Sequence, residues 1–193
     1  PLNALSLNAE LLGDEVKNLP QDRQTEGIAI LQTMTSEIQR LEEVTEHYLS
    51  LVRRPAPLPG EHHPMEVLQT VSRLLEEELK RAGVALHIQG DVQQEVELDD
   101  GQLRRALLNV IRNAMEAGAK SVEVDVSLSK EDLIIRVDDN GEGMSEEQIA
   151  RASEPFFSTK AAGTGLGLAI TRQILEDHGG GLHIEAKDSG TRV

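Results

Sequence analysis

Leu133-Ile-Ile-Arg-Val-Asp-Asp139-Asn-Gly141-Glu-Gly143 decides the fold of this chain. Leu133, Ile135 and Val137 share one face of a strand, which marks that face as buried. The strand ends in a carboxylate, Asp139, and then turns. Asp-Asn-Gly is a strong turn signal, which accounts for Gly141 but not for the pairing with Gly143. A carboxylate at the end of a buried strand can accept a hydrogen bond from an exocyclic amine. The two glycines let a flat ring approach the backbone.

Outward from this strand, helix and strand alternate. Ser121 to Leu128 alternates at period two and forms a hairpin with Leu133 to Asp138. Asp99-Asp-Gly-Gln102 is a capping box that opens a helix over 101–117. Asn109 and Asn113 lie one turn apart on it, so both amides face one side. An amide oxygen is a neutral, hard ligand suited to Mg2+; two asparagines on a solvated face explain the same spacing equally well. Before this helix, Met65 to Ala82 carries Val67, Leu68, Val71, Leu74, Leu75 and Leu79 at helical period, and Gly83 stops it. Val84–Ile88 and Val96–Leu98 are short strands.

Downstream, Ser145-Glu-Glu-Gln148 is a second capping box, opening a short helix. Gly163-Thr164-Gly165-Leu166-Gly167 opens a helix over 165–178, whose free N–H groups and positive dipole end form an anion site. A flexible helix start gives the same pattern. No Gly-x-x-x-x-Gly-Lys-Ser/Thr occurs, so this is not a P-loop. Met144 to Thr164 is a long segment between the two glycine sites and reads as a lid. It holds Glu154-Pro-Phe-Phe-Ser-Thr-Lys160, with the chain's only two phenylalanines. Lys160 is the cation placed to meet a terminal phosphate, or else an ordinary surface lysine. Gly179-Gly-Gly181 ends the last helix, and Leu182, Ile184 and Ala186 alternate in a closing strand. One further strand is expected after Val193. Helices over a mixed sheet make an α/β sandwich from 65 to 193.

The chain ahead of this domain differs in pattern. Leu2, Leu5, Ala9, Leu12, Val16 and Leu19 alternate at three and four, as in a coiled-coil seam. Asn18-Leu-Pro20-Gln breaks it. A second seam runs through Leu31, Met34, Ile38, Leu41, Thr45, Tyr48 and Val52. Residues 1–54 therefore form a helical hairpin. Its seam suits pairing with a second copy into a four-helix bundle; packing on the chain's own second domain is the alternative. Four of the seven prolines fall at 55, 57, 59 and 64, so 55–64 reads as a stiff linker. His62-His63 lies in it without further ligands at metal spacing.

Net charge is -15, which excludes a duplex nucleic acid footprint and disfavours an anionic membrane surface. A nucleotide stays open, because Mg2+, a lysine and helix N-termini can offset the field locally. With no cysteine, thiol catalysis and disulfides are excluded. No apolar run spans a membrane. Pro1, in place of an initiating Met, points to a piece of a longer protein.

Taken together, Asn109-Val-Ile-Arg-Asn113, Asp139-Asn-Gly141-Glu-Gly143, Glu154 to Lys160 and Gly163 to Gly167 resemble the N box, first glycine box, phenylalanine box and second glycine box of sensor histidine kinases. These share a Bergerat-type (GHKL) ATP-binding domain with gyrase, Hsp90 and MutL. The resemblance implies ATP and Mg2+, with Asn113 on the metal and Asn109 assisting the phosphates. It implies that Asp139 holds the adenine amine beside Gly141 and Gly143. Gly163, Gly165 and Gly167 would line the lid hinge and, with Thr164 and Leu166, bind the nucleotide. The other relatives place a glutamate where Asn109 stands, one turn before the Mg2+ residue, to activate water. Its absence favours transfer to a protein acceptor over steady hydrolysis.

Pro1-Leu-Asn-Ala-Leu resembles the sequence just after a histidine box, His-Glu-x-x-Asn-Pro-Leu. That match places the phospho-accepting histidine five residues before Pro1 and leaves this chain without its own acceptor. Asn-Ala-Met-Glu-Ala, from Asn113 to Ala117, resembles nitrogen-regulatory sensor kinases. It has Glu116-Ala117 where many relatives carry a lysine and an aromatic, leaving Lys160 as the phosphate cation. The family's regulator-docking positions fall on Ala4, Leu7, Asn8 and Leu11. The implied function is the cytoplasmic catalytic core of a histidine kinase, homodimeric through the hairpin and serving a response regulator. Any membrane anchoring would lie in other segments. A nucleotide-binding scaffold, a regulator phosphatase or a gyrase-type ATPase are the other readings.

Overall fold

The structure is a computed structural model that describes residues 2–18, 20–53, 56–130, 132–160 and 163–193. Pro1, Leu19, Arg54 and Pro55, and the side chains of His47 and Val52, lie outside the described residues. The chain divides into two compact units, Pro1–Arg53 and Arg54–Val193.

The first unit is a hairpin of α1 (Leu2–Lys17) and α2 (Gln21–Arg53). Asn18 Nδ2 donates to Asp14 O at 3.1 Å, and Gln24 Nε2 donates to Lys17 O at 2.8 Å. These bonds satisfy carbonyls that a helix end leaves free. Ser6 Oγ donates to Glu42 Oε1 at 2.9 Å, which fixes the antiparallel register. Ala9, Val16, Leu31 and Ile38 are buried. Leu5, Leu12, Met34, Leu41 and Tyr48, the alternating seam positions, are 43–52% exposed. A two-helix seam has only one inner side, so half of each stripe stays in water.

In the second unit the elements are β1 (Gly60–His62), α3 (Pro64–Ala82), β2 (Ala85–Gly90), β3 (Val96–Leu98), α4 (Asp100–Glu116), β4 (Ser121–Ser129), β5 (Asp132–Asp139), α5 (Glu146–Arg151), α6 (Gly167–Asp177), β6 (Glu185–Ala186) and β7 (Thr191–Arg192). The main sheet has the order β2-β4-β5-β7-β6, with β2 parallel to β4 and the other pairs antiparallel. Val122, Val124 and Val126 of β4 are buried, while Glu123 and Ser127, on the opposite face, are exposed. One sheet face is therefore covered and the other is wet. Leu68, Val71 and Leu75 of α3 and Ile111 of α4 are fully buried in the same core. Burial of each such side chain stabilises by about 1.5–3 kcal/mol.

Three expectations change. The proline-rich stretch is not linker throughout: Gly60–His62 pairs antiparallel with Val96–Leu98. Leu58 N–H also donates to Asp99 Oδ2 at 2.9 Å, and His62 and His63 are half-buried. Pro57, Pro59 and Pro64 lie outside Gly60–His62, where no ladder donor is needed, and the partner strand supplies the order. The closing strand is only Glu185–Ala186, and a second short strand, β7, follows it within the chain. Leu74, on the margin of the α3 stripe, is 58% exposed.

Two side chains fasten α6 to α4. His178 Nε2 accepts the Asp99 N–H at 3.0 Å, and its Nδ1 donates to Ile174 O at 2.7 Å. At the other end Asn109 Nδ2 donates to Gly167 O at 3.2 Å. The Asp99 carboxyl sits below the usual carboxylate range. Burial pushes it up, but the N–H groups of Leu58, Gln102 and Gly101, with His178 nearby, outweigh that.

Candidate functional site

The residues of the four motifs converge where β5 ends, α4 ends and α6 begins. Asp139 closes β5 and is buried, with Oδ1 accepting the Gly141 N–H at 2.7 Å. Asn140 Oδ1 accepts the N–H groups of Lys120 and Ser121 at 2.8 and 2.9 Å, which ties the turn to the start of β4. Gly141 lies against the end of α4: a Cβ on it would fall 2.7 Å from Ala117 O. Gly143 has φ +72, and a Cβ there would sit 2.9 Å from Gly190 O. The glycines around Asp139 thus let backbone segments close in on one another where any side chain would clash.

Gly190 was not singled out in the sequence. It has φ +85, is buried, and backs directly onto Asp139: a Cβ would lie 2.6 Å from Asp139 C and 2.7 Å from Oδ1. Two bonds between Val137 and Val193, at 2.8 and 2.9 Å, hold it there. Arg192 Nε also donates to Asp138 Oδ1 at 2.9 Å, and Lys187 pairs with the same atom at 3.1 Å. Burial raises the Asp138 carboxyl, and these two cations together pull it lower than usual. A Gly-Thr pair after a strand was the available signal, but the two-residue strands on either side of the turn gave it no context.

Asn109 and Asn113 are half-buried on α4. Both face Gly167, whose Cβ position would lie 3.8 Å from Asn109 Cγ and 3.8 Å from Asn113 Nδ2. With its amide nitrogen bound to Gly167 O, Asn109 turns its donor toward α6. Leu166 is fully buried, so its side chain packs in the core and leaves only backbone to the loop. Thr164 Oγ1 accepts the Leu166 N–H at 3.4 Å, and Gly163 N–H donates to Lys160 O at 3.2 Å.

Gly165 has φ +65 and packs against the phenylalanine pair: a Cβ would fall 2.5 Å from Phe156 C and 2.6 Å from Phe157 O. Phe156 is 63% exposed with φ +66, and its N–H donates to Gly165 O at 2.9 Å. A non-glycine residue in this region stores about 1–2 kcal/mol of strain. Gly165→Ala is expected to release the Phe156 turn, read as faster amide exchange over 154–160. Global stability should fall by no more than about 2 kcal/mol. Unchanged exchange there would show that the turn does not depend on Gly165.

Lys160 is not free. Its Nζ lies 2.8 Å from Glu116 Oε2 and 3.2 Å from Asn113 O, at the negative end of α4. Ala4, Leu7, Asn8 and Leu11 belong to the first unit and form one exposed face of α1, with Leu7 and Leu11 at 56% and 57%. Among the described residues no cluster of three or more His, Asp or Glu could hold a metal, and no helix is long and apolar enough to cross a membrane.

Residues 98–193 match the family described as histidine kinase-, DNA gyrase B-, and HSP90-like ATPase. Sporulation kinase C of Bacillus subtilis (strain 168) is 34% identical over 158 residues, covering 79% of this chain and 36% of that protein. Nitrogen regulation protein NtrY of Azorhizobium caulinodans is 29% identical over 204 residues, 98% of this chain and 26% of that one. The solved catalytic domain of histidine kinase ThkA superposes with TM-score 0.64 at 29% identity, over 69% of this chain and 91% of that one. ThkA in complex with the response regulator protein TrrA gives TM-score 0.72 at 25% identity, covering 84% of this chain and 48% of that one.

The segment 98–193 is a domain of the histidine kinase-, DNA gyrase B- and HSP90-like ATPase family. Within that family its relatives are sensor histidine kinases, and the second unit has the fold of their catalytic domains. The chain spans about a quarter to a third of the length of these two curated relatives.

Proposed function

We propose that this chain is the dimerising and catalytic core of a sensor histidine kinase, working in the cytoplasm. In this reading 65–193 is the catalytic domain, 1–54 the dimerisation hairpin, and 55–64 joins them, with Gly60–His62 anchored to the catalytic side. The observation that carries it is the buried Asp139 in a glycine-backed cradle, with Asn109, Asn113 and the N-terminus of α6 beside it. An adenine amine would donate to Asp139. The free N–H groups at the start of α6 would take the phosphates. Asn113 is the residue for Mg2+, which when bound would offset phosphate charge. Its half-buried amide oxygen is a neutral, hard donor of the kind that suits this cation.

The reaction is then transfer of the γ-phosphoryl group to a histidine imidazole. A ring nitrogen attacks the γ-phosphorus, the bond to the β–γ bridging oxygen breaks, and ADP leaves with that electron pair. The imidazole proton goes to a base outside this site, because α4 carries Asn109 where a water-activating carboxylate would stand. The group then passes to an aspartate of a response regulator docked on Ala4, Leu7, Asn8 and Leu11. The exposed seam of the hairpin, Leu5, Leu12, Met34 and Leu41, supports pairing with a second copy as a four-helix bundle.

The test uses γ-labelled Mg-ATP and a chain carrying a His-Glu-x-x-Asn segment ahead of Pro1. Acid-labile, base-stable label is expected; tight nucleotide binding without label would leave a binding scaffold. Lys160→Ala should weaken ATP about tenfold or more, as for a lost charge-assisted bond, with a smaller effect on ADP. Equal losses in a calorimetric titration would remove Lys160 from the phosphate site.

A further inference from the structure

We infer that Glu116 is a latch that competes with the terminal phosphate for Lys160, and so sets how strongly the site prefers ATP to ADP. The inference rests on the nucleotide-site reading above. The Lys160 ammonium is held at 2.8 Å by Glu116 and at 3.2 Å by the carbonyl of Asn113, the residue proposed for the metal. It therefore already stands at the mouth of the phosphate site, but its charge is engaged by a carboxylate. The pair joins residues 44 apart in sequence, from the last residue of α4 to the segment between the two glycine sites. The side chains of Lys160 and Glu116 are 28% and 56% exposed, so the bond is solvent-accessible and breakable. In ADP the β-phosphate is terminal and does not extend to the place of a γ-phosphate. ADP can bind with the latch closed, whereas ATP must draw Lys160 away. The pair thus lowers ATP affinity selectively, and holds the segment before Lys160 against α4 when no nucleotide is bound.

The test is a double-mutant cycle with Glu116→Gln and Lys160→Gln, titrated with Mg-ATP and Mg-ADP, together with amide exchange of the nucleotide-free proteins. Glu116→Gln is expected to tighten ATP about two- to fivefold, the range of an exposed ion pair, and to leave ADP unchanged. Exchange over 157–160 should quicken. In the Lys160→Gln background the same change should have no effect on either reading. Weakened ATP binding, an unchanged ATP-to-ADP ratio, or a gain that persists without Lys160 would overturn the latch, the last by showing plain charge repulsion. Failure of the wild-type chain to bind either nucleotide would instead overturn the nucleotide-site reading itself.

Discussion

Asp139→Asn is expected to weaken ATP and ADP alike by about 10- to 100-fold, while the fold persists. The substitution keeps shape and volume, and Asn Oδ1 can still accept the Gly141 N–H that Asp139 accepts at 2.7 Å. What changes is the other oxygen. In the proposed site it becomes an NH2 group that would face the donor of the adenine amine, so a charge-assisted bond would be replaced by two donors in a buried place. Bonds to charged groups contribute about 1.5–3 kcal/mol, and a mismatched buried pair costs a similar amount. Inosine triphosphate lacks the amine and provides the control: it should bind the wild-type chain weakly and lose little more in the variant. If Asp139→Asn binds ATP as the wild type does, the carboxylate is a turn former and the base lies elsewhere.

Gly190→Ala is expected to cost about 2–4 kcal/mol and to weaken nucleotide binding as well. The φ of +85 alone costs an alanine about 1–2 kcal/mol. The new methyl would lie 2.6 Å from Asp139 C and closer still to Asp139 O. The turn has little room to retreat, because Val193 and Val137 exchange two backbone bonds on one side of it. A midpoint of urea unfolding close to that of the wild type would show that the turn moves freely, and would end the claim that Gly190 positions Asp139.

The long-period features were legible in the sequence. The stripes of α3 and α4 and the alternation in β4 and β5 each run over enough residues for burial to impose a period. The two capping boxes announced α4 and α5, and Ser145 makes both reciprocal bonds with Gln148. The glycines around Asp139 were visible because turn chemistry needed only one of them. Short elements were not legible. Gly60–His62 has three residues among prolines, and its order comes from Val96–Leu98, a partner that no local pattern names. The same holds for the two-residue strands at the end of the sheet and for Gly190 between them. The Lys160 reading, a phosphate cation or a surface lysine, misses the ion pair because Glu116 is 44 residues away and conspicuous only as a departure from the relatives.

The two bonds between α4 and α6 have a mechanical consequence. Asn109 to Gly167 and His178 to Asp99 make a braced pair of struts, with α6 pinned at both tips and α4 at its start and its middle. Such a frame resists both sliding and hinging, since either motion must break a side chain-to-backbone bond at one pin. On the proposed reading, any change of shape on nucleotide entry would be confined to the loop beside the frame, around the strained Phe156 and its Gly165 anchor. In the proposed site the wall that would meet the phosphates stays fixed, so the entropy of ordering it would be lost at folding and not at each turnover.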